Sequence, residues 1–347
     1  MKAVLFESNS KVHLVEMPHP IAGDRDVLIR VGACGVCPAT LQGLEKIKDY
    51  KMPFPFVPGY EVAGTVVKAG KAVTNVQEGE HVVVQPIVHC DTCPPCRQGY
   101  TNLCQNPQII GLHRPGGLAE YVAVPAQNVY ISNGLSDDVA ACTEHLACAL
   151  HGLVRLSPRM ADRVLIFGAG TMGLLFLELI RNRGVGLITV VDLHPQRLKV
   201  ARQLGADQTV VADGSQESAL AELEPLGFDC VVDATGVPTV VETAFRHIAP
   251  AGKLLMLGSC PTAASISIQP RMVQSRNATI VGSISFNFEF EQALQLLRGR
   301  HVQIDPIITH RYPLDAYLEA FEQALSGKKG VKIIITAGST KCNSISS

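Results

Sequence analysis

The stretch VLIFGAGTMG, residues 164–173, places Gly168, Gly170 and Gly173 directly after an apolar run and at the start of a helical pattern. Each glycine has a purpose. Gly168 allows a tight turn, Gly170 a close backbone approach to a bound group, and Gly173 close packing of helix on strand, with the helix N-terminus facing an anion. Thr171 and Met172 fill the loop between the second and third glycines. The next apolar run, LITVVD, ends on Asp192, nineteen residues after Gly173, where a carboxylate can accept hydrogen bonds from an adenosine ribose. The two signals together predict a dinucleotide site. The carboxylate would repel a 2′-phosphate, so NAD is favoured over NADP. Arg197, five residues further on, would weaken that preference, and at its helical spacing it is expected on a solvated face.

Around this loop, strands alternate with helical segments: TMGLLFLELIRNRG, LITVVD, PQRLKVARQLG, FDCVVDATG, VVETAFRHIA, GKLLMLG and ATIVGSIS. Strand, helix, strand in succession implies right-handed crossovers and a parallel sheet over residues 136–288. Thr235 and Gly236, in VVDATG, follow a central strand and are expected to line the cofactor cleft. Residues 1–135 read differently, as short β-like runs such as DVLIRVGA, EVAGTVVKAG and HVVVQPIV between Gly and Pro turns, which predicts a small barrel or rolled sheet. The tail, 289–347, holds two helical segments and the apolar run VKIIIT. It is assigned to the first domain, because an apolar closing strand needs a sheet edge to pair with. A chain of 347 residues is too long for one core and suits this division into two domains.

A net charge of −1 gives no electrostatic reason to expect nucleic acid or an anionic membrane as partner, so a small-molecule substrate is the better expectation. The longest strongly apolar segment, GLLFLELI, is too short to span a bilayer, and MKAVLFESNSK meets a glutamate before any long apolar run. The expected setting is soluble and cytoplasmic. The eleven cysteines are an odd number in a long chain, which favours reduced thiols, some of them holding metal.

Four of them lie in HCDTCPPCRQGYTNLC: Cys90, Cys93, Cys96 and Cys104, spaced x2, x2 and x7. Four thiolates on a bent loop can close a tetrahedral shell around zinc with no position left for substrate. An iron–sulfur cluster begins with the same two gaps but continues with a shorter third gap and Cys-Pro, whereas Cys104 is followed by Gln105. Structural zinc is therefore the leading reading.

A β-rich first domain, a four-cysteine lobe and a glycine loop resemble the zinc-containing medium-chain dehydrogenase/reductase family, which includes alcohol, sorbitol and threonine dehydrogenases. The resemblance also rests on VGACG at 31–35, PGYEVAGTVVKAG at 58–70, GGLAEYVAVPA at 116–126 and EHLACALHG at 144–152. It implies an α/β protein with a GroES-like barrel, a Rossmann domain, an active site between them, and assembly as a homodimer or homotetramer. It also places GSISF, ending at Phe286, beside the nicotinamide. The family's catalytic zinc is held by a cysteine, by the histidine of a G-H-E motif and by a later residue; carried over, these positions are Cys34, Tyr60 and Glu144, with Glu61 as the glutamate of the motif. Tyr60 thus stands where the resemblance implies a histidine. Val36 likewise stands where the resemblance implies the Ser or Thr that relays the alcohol proton, Cys37 where it implies the Asp that supports the site, and Ala39 at a position that is often the histidine at the far end of the relay.

Three readings follow. Cys34, Glu61 and Glu144 could hold a catalytic zinc, with Cys37 or His145 as a fourth ligand, for oxidation of a secondary alcohol or polyol to a ketone. The chain could instead be a metal-free carbonyl or enone reductase in which Tyr60 or Glu144 supplies the proton. It could also be a binding protein that kept the fold. His113, His145 and His151 are by default satisfied or exposed histidines.

Overall fold

The structure, a computed structural model, describes residues 1–8, 11–38, 41, 54–327 and 330–337. Ala39 and the end of the tail beyond Ala337 lie outside these residues. Two sheets organise the chain. The first is a six-stranded parallel sheet ordered Gln208–Val211, Leu187–Asp192, Arg163–Phe167, Phe228–Asp233, Ile248–Met256 and Thr279–Gly282. Its central strands are buried on both faces, which is why they read in sequence as continuous apolar runs and not as alternations. The strand order reverses beside Arg163–Phe167, so the glycine loop leaves this strand at the switch point where open α/β sheets bind ligands.

The second sheet has seven strands and joins Asp26–Val36, Glu61–Ala69, His81–Val84, Tyr121–Pro125 and Val129–Ile131 to Ile308–Pro313 and Lys332–Thr336 near the end of the chain. Its long strand Asp26–Val36 pairs along one edge with Glu61–Ala69. Its other edge is shared: Asp26–Arg30 pair with Tyr121–Pro125, and Ala33–Val36 pair with Ile333–Thr336. The apolar run VKIIIT thus fills the half-edge left open by Tyr121–Pro125, satisfying backbone groups that would otherwise be exposed. Along DVLIRVGACGV, buried and less buried residues alternate as far as Gly32, and burial is then continuous from Ala33 to Val36. That change marks where the strand passes under the junction with the parallel sheet.

Burial divides into a core inside the barrel, a core on one face of the parallel sheet, and a third that runs from the other face of that sheet to Ala33, Ala63 and Val83 of the barrel sheet. The spine of this third core is the helix Thr143–Leu156. It begins beside the barrel strands, and by Gly152 it lies against Leu255 and Leu257 of the parallel sheet. The helix Glu289–Arg298, which opens the 289–347 tail, buries Phe290, Ala293, Leu294 and Leu297 in this junction core and not in the barrel. Its apolar stripe faces the junction spine, a tertiary choice that the helical period alone does not make. Among the described residues no helix is long and apolar enough to cross a membrane.

Candidate active site

At the glycine loop, Gly168 has φ +101°, and a side chain at Gly173 would collide with the Gly168 carbonyl, so both positions require glycine. No side chain caps the helix Thr171–Arg181, which leaves its first N–H groups for an anion. Asp192 is buried at the end of its strand, where its carboxylate accepts hydrogen bonds from the backbone N–H of Ala169 at 2.7 Å and of His194 at 2.8 Å. It therefore braces the loop, with lone pairs remaining for a ribose.

Several expected cofactor contacts are committed elsewhere. Arg197 is not a solvated residue: its Nη2 donates to the carbonyls of Gly327 and Gly330, and its Nη1 lies 4.0 Å from Asp192. The Thr171 hydroxyl donates to the Val331 carbonyl, tying the loop to the closing strand of the barrel. Met172 packs at the margin of the junction core. Phe286 is fully buried there, 5.5 Å from the Phe290 ring, so it serves as core and not as a wall of the nicotinamide site. The turn through Thr235 and Gly236 is held by Asp233, which accepts from both backbone N–H groups. Burial pushes the Asp233 carboxyl up, against the pull of those bonds.

In the cysteine lobe the sulfurs of Cys90, Cys93, Cys96 and Cys104 lie within 4.8 Å of one another. Backbone N–H groups of Cys90 and Cys93 point at the sulfurs of Cys104 and Cys90, and hydrogen bonds from Thr92 hold the Cys90 thiol down at about 6. Donors aimed at sulfur favour thiolates, and four converging sulfurs fit tetrahedral zinc. The lobe is fastened to the junction by Asn287, which accepts from Thr101 N and Oγ1 and donates to the Gly99 carbonyl.

The third constellation forms at the barrel–helix junction, from residues far apart in sequence. Ligand atoms of Cys37, Glu61 and His145 fall within 4.8 Å of one another. Cys34, the cysteine expected here, is not among them. It lies inside a strand paired on both edges, its side chain points into the barrel core, and its thiol donates to the Gly35 carbonyl at 3.7 Å. Burial drives that thiol far up. Cys37 lies just past the last paired residue, Val36, where the chain is free to turn toward the junction. Glu144 is adjacent, with Oε2 3.0 Å from His145 Nδ1 and Oε1 accepting from the Cys148 thiol. His145 Nδ1 also lies 3.2 Å from Glu61 Oε2.

Glu61 has no solvent exposure, and burial alone would raise its carboxyl. The positive charges of His145 and Lys332 outweigh that and hold it at about 2. Burial likewise pushes the Cys37 thiol up, but the imidazole hydrogen bond from His145 brings it down on balance. Tyr60 is partly exposed at a small crevice it shares with Cys37, Leu41 and Leu118. Burial of its phenol, then the negative charges around it, raise it well above 10.

Lys332 was missed in the sequence, although a signal existed: a lysine within VKIIIT, an otherwise apolar strand, must find a counter-charge. It finds Glu61, with which it forms a contact ion pair, because Ile333 pairs with Val36 and Glu61 with Gly35. A side chain at Gly35 would strike the carboxylate of that pair. The remaining histidines have structural partners. His151 meets Glu289 at 2.9 Å, and His113 Nδ1 accepts from the backbone N–H of Ile109.

The described geometry thus comprises a nucleotide loop, a closed sulfur lobe and a buried mixed S, N, O cluster. Two family models match the chain: the alcohol dehydrogenase GroES-like domain over residues 23–133 and zinc-binding dehydrogenase over residues 171–299. D-altritol 5-dehydrogenase of Agrobacterium fabrum is 33% identical over 97% of this chain and all of its own. D-arabinitol dehydrogenase 1 of Uromyces fabae is 30% identical over 96% and 97% of the two chains. A Sinorhizobium meliloti 1021 protein described as a zinc-binding dehydrogenase, solved bound to NADP, superposes with a TM-score of 0.89 at 30% identity, covering 96% of this chain and 98% of that one.

The chain therefore belongs to the zinc-containing medium-chain dehydrogenase family. It is an oxidoreductase of the alcohol-dehydrogenase type, built as an α/β protein with a GroES-like domain and a parallel nucleotide-binding sheet, and it uses a nucleotide cofactor and zinc.

Proposed function

We propose that the protein interconverts a secondary alcohol of polyol type and the corresponding ketone, with NAD as hydride carrier and a metal at the junction cluster. The observation that carries this reading is the buried group of Cys37, Glu61 and His145, placed where the barrel meets the helix that runs to the nucleotide sheet. In the forward direction the alcohol carbon gives a hydride to the nicotinamide and the hydroxyl gives a proton to solvent, leaving a ketone. Zinc, when bound, supplies positive charge that lowers the pKa of the alcohol hydroxyl.

The chain's own contribution is positional. Lys332 neutralises Glu61, the hydrogen-bonded Asp192 fixes the loop that holds the dinucleotide, and Val36 and Leu41 give the crevice beside Cys37 an apolar wall that limits water. NAD is favoured because Asp192 faces the loop while Arg197, the nearest cation, already serves two carbonyls and is not free to take a 2′-phosphate. The polyol class is supported by the two curated relatives, a D-altritol and a D-arabinitol dehydrogenase. The test is nucleotide reduction across a panel of pentitols, hexitols and simple secondary alcohols, with NAD and NADP compared. Turnover with NAD and a polyol, abolished by a zinc chelator and restored by zinc, is expected. Equal turnover in zinc-stripped protein would overturn the metal-assisted reading.

A further inference from the structure

Tyr60 stands at a position where the family resemblance implies an imidazole, yet the junction cluster still contains one, contributed by a different element. We propose that His145 supplies the imidazole ligand of the junction metal, so that Cys37, His145 and Glu61 form the protein's metal-binding set and Tyr60 stands outside it. This inference rests on the metal-assisted reading above and specifies which atoms make that reading possible.

The three groups sit on elements that cannot easily move. Cys37 immediately follows the strand Asp26–Val36, which is paired on both edges, Glu61 opens the strand next to it, and His145 lies in the first turn of the buried helix Thr143–Leu156, whose Thr143 hydroxyl donates to the Ala140 carbonyl. Their ligand atoms already lie within 4.8 Å of one another, close enough to surround a single ion at ordinary zinc distances of roughly 2.0–2.3 Å after small adjustments. Glu61 Oε1 is buried without a hydrogen-bond partner, and Glu61 Oε2 and His145 Nδ1 have only ion-pair neighbours, Lys332 for the first and the Glu61 and Glu144 carboxylates for the second. Buried polar atoms are rarely left this way, and a cation among them removes the deficit.

Charge leads to the same conclusion. A Cys37 thiolate with the carboxylates of Glu61 and Glu144 carries three negative charges, Lys332 returns one positive charge, and the remaining two match a divalent ion held beside a neutral imidazole. A tyrosine ligand would add a further negative charge and would require a phenol of ordinary pKa near 10 to ionise. The imidazole thus comes from the helix Thr143–Leu156 and not from the turn before Glu61, and the ion keeps its nitrogen donor.

Zinc per chain decides the matter, measured on the full-length protein after growth with added zinc. The native protein should hold two ions, one for each cluster, and His145→Ala should hold one. The double variant His145→Ala, Tyr60→His should return to two, because it supplies an imidazole from the residue beside Glu61. Two ions retained in His145→Ala would overturn the proposal and leave the metal-assisted reading standing, whereas one ion in the native protein would remove both. Should His145→Ala fail to fold, His145→Cys provides the second measurement. It should keep both ions and, with cobalt in place of zinc, show stronger thiolate-to-cobalt charge-transfer absorption than the native protein, and unchanged absorption would overturn the assignment.

Discussion

The cysteine lobe and the junction cluster are both sulfur-containing groups, and they are built on opposite principles. The lobe takes all four donors from residues 90–104, on a loop bent by Pro94, Pro95 and Gly99, and its backbone N–H groups point at its own sulfurs. The junction takes one residue from each of several elements, buries them almost completely, and mixes thiol, carboxylate, imidazole and ammonium. A local site can be closed and inert, since chain connectivity holds it. A site gathered from distant elements depends on the whole fold, and its burial makes every charge in it consequential.

The largest effect should come from the junction's cation. Lys332→Met leaves the carboxylate of Glu61 buried beside a single partner, and loss of one member of a buried pair costs about 3–5 kcal/mol. Denaturant unfolding would show it. A loss below 1 kcal/mol would mean that the junction tolerates an unpaired charge as an exposed site does.

Next comes the nucleotide loop. In Gly173→Val the side chain meets the Gly168 carbonyl, so NADH affinity should fall by at least tenfold, equivalent to about 1.4 kcal/mol, with zinc content unchanged. Fluorescence titration of NADH checks this, and a simultaneous loss of zinc would show that loop and junction are one cooperative unit.

Cys96→Ser should remove one zinc per chain and expose residues 90–104 to protease while leaving NADH binding intact. Loss of NADH binding would erase the distinction between a local and a gathered site.

The smallest effect concerns the seam between lobe and junction, where Glu289 meets His151 and accepts from the Asn287 N–H. Burial would raise the Glu289 carboxyl, but the hydrogen bond from His151 lowers it below its usual 4.5. A depressed carboxyl stabilises the fold above its unfolded pKa, and that stabilisation is lost as pH falls through the folded value. The melting temperatures of the native protein and Glu289→Gln should therefore differ near neutral pH, and the difference should shrink as pH falls below 4.5 through the lowered folded value. A difference that persisted in acid would identify a packing role in place of the ionic one.

Legibility followed the same division. The glycine loop, Asp192 and the four lobe cysteines could be read in sequence because backbone connectivity alone places them; Gly168 to Gly173 is one turn wherever it occurs. The junction could not be read in that way. Cys34 and Cys37 are three residues apart and chemically identical in sequence, and only the pairing of Ala33–Val36 with the closing strand turns the first into the core and frees the second. The same pairing brings Lys332 to Glu61. Phe286 and Arg197 were misplaced for a related reason: apolar character and helical spacing do not say which core or which carbonyl will claim a side chain.

By itself, then, the sequence determined the two-part α/β plan, the nucleotide loop and the sulfur lobe, all of which arise from hydrophobic period and short spacing. Which thiol, imidazole and cation share the buried junction was decided only in three dimensions, because strand register and helix placement choose those neighbours across more than a hundred residues of chain.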